Sequence, residues 1–134
     1  MTTGSCLCGA VRFEIAGELA PIQFCHCGHC RKAQGSAFGA NIPVATADFR
    51  LLSGEDALRA YEHTPGKQRV FCATCGSPVF SRLLAKPEVV RLRAGTLDNP
   101  SGARRGFHFH VEDKADWWEI ADDGLPRYPG PRPG

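Results

Sequence analysis

Seven cysteines fall in three short-spaced groups: Cys6 and Cys8 in CLCG, Cys25, Cys27 and Cys30 in FCHCGHCRKAQ, and Cys72 and Cys75 in FCATCG. No other feature restricts the fold so strongly, because sulfurs two or three residues apart converge on an ion or on one another. The count is odd, so complete intramolecular disulfide pairing leaves one thiol over. A chain of 134 residues is one domain long. At that size about two-thirds of the unfolded surface can be buried, so disulfides are not needed for stability. The N-terminus, MTTGSCLCGAV, lacks a basic start followed by a long apolar stretch, the mark of a secretory signal. The chain is therefore expected in the cytoplasm, where disulfides are rare and metal ligation is the better account of clustered thiols.

The groups sort by ligand number. Cys6 and Cys8 with Cys72 and Cys75 make two pairs far apart in sequence, which is what a closed four-thiolate zinc site requires. Gly9 and Gly76 follow the two pairs, where a tight turn around an ion needs unhindered backbone. Such a site ties the first strand to the middle of the chain. The alternative for each pair is a set of buried free cysteines packed in strands.

Cys25, Cys27 and Cys30 are then left as three donors, the number typical of a catalytic zinc that keeps its fourth position exchangeable. His26 lies between two proposed ligands, and an alternating backbone points it away from them. His29 is awkwardly adjacent to Cys30. A more distant His63, His108 or His110 could still close the shell, so spacing alone leaves the site open or closed.

Around the cysteines the pattern is one of short strands. Apolar alternation or compact apolar runs mark 11–15, 22–24, 38–44, 49–52, 69–71, 78–83, 89–94 and 107–111, separated by SGED, TPGK, LAKPE and LDNPSGA. Helical periodicity is weak, with a turn or two expected near 28–34 and again near 113–121. The predicted fold is mainly β, with packed antiparallel sheets stapled by zinc. Residues 1–125 form the single domain. The tail 126–134, PRYPGPRPG, holds four of the ten prolines and is expected to fray. A net charge of +2 is too small to argue for a nucleic-acid or membrane partner, and no apolar run is long enough to span a bilayer. The sequence is silent on oligomeric state.

The order of motifs resembles the glutathione-dependent formaldehyde-activating enzyme family, whose domain is shared with centromere protein V. The resemblance runs through GSCLCGAVRFE (4–14), CHCGHCRKAQGSAF (25–38), FRLLSGE (49–55), FCATCGSPVF (71–80), AGTLDNP (94–100) and FHFHVEDKADWWEIADDGLPRY (107–128). It implies a β-rich fold like that of the zinc-binding Rab exchange factors. It also implies structural zinc on Cys6, Cys8, Cys72 and Cys75 and catalytic zinc on Cys25, Cys27 and Cys30. The implied activity is that of a carbon–sulfur lyase or synthase adding glutathione to formaldehyde or another small aldehyde, giving S-hydroxymethylglutathione or an analogue. The departures are His108-Phe109-His110, where relatives tend to carry His-Ile-aromatic, and Lys114-Ala115-Asp116-Trp117 in place of Lys-x-Pro-Trp; both bear on the substrate pocket.

Glutathione carries two carboxylates, and Arg31 and Lys32, directly after Cys30, are the nearest cationic anchors in sequence. Their alternative is a solvated pair at the start of a short helix. His108 and His110 share a face if 107–111 is a strand, and one of them could donate a proton to the product oxygen. The competing function is a non-catalytic zinc module that binds another protein. That reading needs no exchangeable ligand position.

Overall fold

A computed structural model describes residues 1–133. The chain forms β1 (Thr2–Ser5), β2 (Arg12–Ile15), β3 (Ile22–Cys25), α1 (Gly28–Gln34), β4 (Gly39–Ala45) and β5 (Phe49–Ser53). It continues through β6 (Leu58–Tyr61), β7 (Lys67–Cys72), β8 (Pro78–Leu83), β9 (Val89–Arg93) and β10 (Arg105–Phe109). Two sheets result, one of three strands in the order β1-β2-β5 and one of seven in the order β10-β3-β4-β9-β8-β7-β6.

The small sheet lies on the large one because its alternating residues have nowhere else to go. Phe13 and Ile15 of β2 are almost fully buried with Ile42, Val79 and Leu92 of the large sheet. Phe49 of β5 bridges the layers, with its ring centroid 5.2 Å from Phe13 and 5.5 Å from Phe80. Fully burying side chains of this kind contributes about 1.5–3 kcal/mol each.

The mainly β expectation holds, and all the strand pairs but one are antiparallel. The exception is β10, which pairs with β3 in parallel after the chain crosses back from β9. Strands β1 and β6, TTGS and LRAY, carry too little apolar alternation to read from sequence. The expected helix near 113–121 does not form. A single 3-10 turn occupies Val111–Asp113, and the Lys114 ammonium then donates to the carbonyls of Ala115 and Trp118. Of the tail 126–134 that was expected to fray, residues 126–130 lie hydrogen-bonded along β10 and the turn after it, while residue 134 lies outside the described residues. His108 N–H donates to the Pro126 carbonyl, Tyr128 N–H donates to the His108 carbonyl, and His110 N–H donates to the Gly130 carbonyl. The Tyr128 ring packs edge-on against Phe107, and the Arg132 guanidinium sits 4.8 Å from the same ring. Proline-rich chain can dock this way because its carbonyls remain good acceptors for a strand edge.

Candidate metal centres

The first donor set is assembled by the layering of the sheets. Cys6 and Cys8 follow β1, and Cys72 and Cys75 leave β7, so the turn after the edge strand of the small sheet meets the end of a strand of the large one. Each pair sits on a tight turn closed by a glycine in the left-handed region. Gly9 N–H donates to Cys6 O and Gly76 N–H to Cys72 O, with φ of +80° and +79°.

The sulfurs are held by backbone and hydroxyl donors. Val11 N–H donates to Cys6 Sγ at 3.3 Å. Ser77 Oγ lies 3.2 Å from Cys75 Sγ while accepting from Leu7 N–H, which joins the two turns directly. That hydroxyl is the first cause holding the Cys75 thiol down at about 5.

All four Sγ atoms lie within 4.8 Å of one another. A zinc–sulfur distance of about 2.3 Å in a tetrahedron sets sulfur–sulfur edges of about 3.8 Å. The Cys6–Cys8 and Cys8–Cys72 separations of 3.6 and 3.9 Å match that edge. The donor set fits zinc.

The second set is local. Cys25 ends β3, Cys27 caps α1 by accepting from the Cys30 N–H at 3.4 Å, and Cys30 points back from the first turn of the helix. Gly35, in the left-handed conformation, ends α1 after two turns. Cys30 fits under the sheet because Gly39, opposite it on β4, lacks a side chain; a Cβ there would lie 3.3 Å from the Cys30 Cβ. The three sulfurs also lie within 4.8 Å of one another, with Cys25 and Cys27 at 3.4 Å. Hydrogen bonds with Cys25 and Cys30 hold the Cys27 thiol far below the ordinary range, while those with Cys27 and then Cys30 push Cys25 up. Among the described residues, no histidine or carboxylate donor joins this trio as a fourth.

The histidines take other places. His26 is fully buried with its Nε2 2.9 Å from His108 Nδ1, and His108 Nε2 is 2.8 Å from Asp123 Oδ2. Burial and the neighbouring His108 charge lower His26 to about 4, so it is neutral at physiological pH. Its Nδ1 has no partner. His29 packs edge-on against His63, their centroids 4.7 Å apart. His108 and His110 do not share a strand face, because β10 ends at Phe109 and His110 turns left-handed at φ 54°. That turn puts His110, alone of the five histidines, into the wall of the cavity above the trio.

The cavity holds about 160 Å³ and opens beside Cys25, Cys27 and Cys30. Its cations come from strands far away in sequence: Lys67 and Arg69 of β7, Arg91 and Arg93 of β9. Arg93 is 5% exposed, and burial lowers its guanidinium to about 10. Lys67 is lowered as well, first by burial and then by Arg69 beside it.

Arg31 and Lys32, the anchors nearest in sequence, do not line this cavity; Lys32 faces a neighbouring groove with His29, Tyr61 and His63. Nearness to Cys30 along the chain singles out none of Lys67, Arg69, Arg91 and Arg93. Their one signal was alternation, since residues two apart on a strand share a face.

A two-sheet β domain carrying one four-cysteine set and one three-cysteine set defines a class: β domains with two cysteine donor sets able to hold a metal ion, one saturated and one unsaturated. The chain belongs to the family described as glutathione-dependent formaldehyde-activating enzyme, whose pattern matches residues 1–113. A Halomonas elongata protein carrying the family's name is 34% identical over 127 residues, covering 87% of this chain and 79% of its own. An Aspergillus flavus protein of the same name is 26% identical over 116 residues, and the match spans 54% of its length. A crystal structure of a Rhodobacter sphaeroides protein has the same fold, with a TM-score of 0.60 at 22% identity over 94% of this chain and 98% of that one.

Proposed function

We propose that the protein catalyses the addition of a thiol, glutathione in the family's reaction, to formaldehyde or another small aldehyde. The class would be that of a carbon–sulfur lyase or synthase. The observation that carries this is the unsaturated donor set: three sulfurs converge and open onto a cavity, while every other cysteine is engaged at the other site. Cys6, Cys8, Cys72 and Cys75 would hold a structural zinc, and Cys25, Cys27 and Cys30 a catalytic one. A zinc held by Cys25, Cys27 and Cys30 would supply a Lewis-acidic centre favouring the thiolate form of a thiol whose ordinary pKa is near 8.5.

The chain's own residues then account for the rest. Cys27 and Cys30 are fixed by the helix cap, so the face they leave open points into the cavity rather than into the core. Lys67, Arg69, Arg91 and Arg93 make that cavity positive, which favours an anionic sulfur over a neutral thiol. In the addition a carbon–sulfur bond forms, the carbonyl π bond breaks, and the thiol proton ends on the new hydroxyl oxygen. His110, in the cavity wall, would carry that proton, a reading supported by the engagement of His108 with His26 and Asp123.

Zinc counting on Cys27→Ser, with product followed by carbon-13 NMR using labelled formaldehyde, tests the proposal. One of two zinc ions is expected to leave and the rate to fall on the order of a hundredfold or more, the least expected when a ligand rather than its outer support is lost. Two retained zinc ions with an undiminished rate would remove the idea.

A further inference from the structure

The cations of the cavity exceed what the cysteines need. A zinc ion on three thiolates carries one net negative charge, yet Lys67, Arg69, Arg91 and Arg93 all line the space above Cys25, Cys27 and Cys30, and no carboxylate does. Elsewhere among the described residues arginines find acidic partners, as in Arg50–Glu14, Arg104–Glu18 and Arg105–Asp123. Among the described residues these four form no ion pair.

Arg91 and Arg93 donate instead to the side-chain carbonyls of Gln23 and Asn41, which orient a guanidinium without neutralising it. Arg69 Nη1 and Arg93 Nε are buried with no acceptor at all. Buried donors without acceptors are costly, and guanidinium forks match a carboxylate with two parallel hydrogen bonds. Size gives the second constraint. Sites that enclose drug-sized ligands run to about 300–1,000 Å³, and this cavity holds about 160 Å³.

We propose that the cavity binds a carboxylate carried by one of the two co-substrates within two or three bonds of its reacting atom, held by Arg69 and Arg93. The co-substrate is then a compact mercapto acid, or a 2-oxo acid of glyoxylate's size, rather than a neutral aldehyde paired with a bulky thiol. This narrows the substrate class of the thiol addition proposed above and rests on it. With glyoxylate the balance is unchanged: sulfur bonds to the aldehyde carbon, the π bond breaks, the thiol proton ends on the carbinol oxygen, and the carboxylate is a spectator between the guanidinium groups.

Two arms on zinc-counted protein test this. Calorimetric titration compares 3-mercaptopropionate with its methyl ester, without aldehyde present. Kinetics compare glyoxylate with acetaldehyde at a fixed thiol concentration. A preference of about tenfold or more for the charged member of either pair is expected, from charge-assisted hydrogen bonds. Preference in the first arm assigns the carboxylate to the thiol, and in the second to the aldehyde.

Arg69→Gln is half-buried and expected to fold; it should abolish the preference with zinc content unchanged, and Arg93→Gln should do the same where it folds. No preference in either arm, or one that survives Arg69→Gln, overturns the proposal. A charged preference in titration with no adduct from any thiol–aldehyde pair would instead overturn the addition reaction and leave the anion site standing.

Discussion

At the scale of single residues, the chain Asp123–His108–His26 links the surface to the backbone that presents the cysteines. His26 sits between Cys25 and Cys27 in sequence, and its ring is pinned by His108 at 2.9 Å and packed against Phe38. Its folded pKa, about 4, lies below the ordinary 6.5. A depressed histidine stabilises the fold above its unfolded pKa and loses that contribution as pH falls, so the window is 6.5 down to about 4. The full displacement corresponds to about 3 kcal/mol, an upper figure for a buried imidazole.

Urea unfolding of the wild type and of His26→Gln across that window checks this. Subtracting the two removes the acid sensitivity common to zinc thiolates, and the wild type is expected to lose stability more steeply. Asp123 works in the same direction at lower pH. Hydrogen bonding from His108 lowers its carboxyl, so its contribution is present above the usual carboxylate range and fades as pH falls through the folded value.

At the scale of elements, the two cysteine turns and the docked C-terminal segment make separate predictions. Nothing lies within 4 Å of a Cβ built on Gly76, so Gly76→Ala tests backbone conformation alone. Its φ of +79° should cost about 1–2 kcal/mol, read as a lower urea midpoint, together with weaker zinc retention at Cys72 and Cys75.

The segment after Leu125 holds β10 through hydrogen bonds at His108, His110 and Val111. Those four bonds and a fifth from Glu112 N–H to the Pro129 carbonyl, at about 0.5–1.5 kcal/mol each, put the cost of truncating residues 126–134 at roughly 2.5–7.5 kcal/mol. Because Gly130 fixes the His110 backbone, activity should fall in the truncated protein more than stability explains. Full activity in a folded truncation would separate His110 from the reaction.

At the scale of the whole molecule, the four-cysteine set ties the turn after β1 to the end of β7, closing a long loop in a fold where β2–β5, β4–β9 and β3–β10 pair strands that are not consecutive. Chain-closure entropy for a loop from residue 6 to residue 75 is worth about 4 kcal/mol. Cys72→Ser should therefore lower the melting temperature by roughly 10–20 °C. Cys27→Ser should leave it within a few degrees while abolishing thiol addition. Differential scanning calorimetry beside zinc counting tells the two donor sets apart. Equal melting losses in the two variants would refute the division into structural and catalytic metal.

The two cysteine groupings were legible in sequence because each is built from short local turns. Two cysteines on one turn aim at one point wherever that turn goes, and the expectation that four would pair off and leave three rests on spacing alone. Strands such as 78–83 were legible for the same reason, since alternation is a property of neighbours along the chain. β1 and β6 were not, being four residues each and made strands by the partners they border. The parallel β10–β3 pairing and the docking of the proline-rich segment likewise depend on edges that exist only once the sheet has formed.

What surrounds the three sulfurs was decided only in three dimensions. Arg31 and Lys32 are nearest along the chain yet lie outside the cavity, while Lys67, Arg69, Arg91 and Arg93 are brought there by the order β4-β9-β8-β7. Covalent spacing fixes which atoms can meet on one ion. Which charges face that ion is set by hydrogen-bonded neighbours tens of residues away, and no local periodicity encodes them.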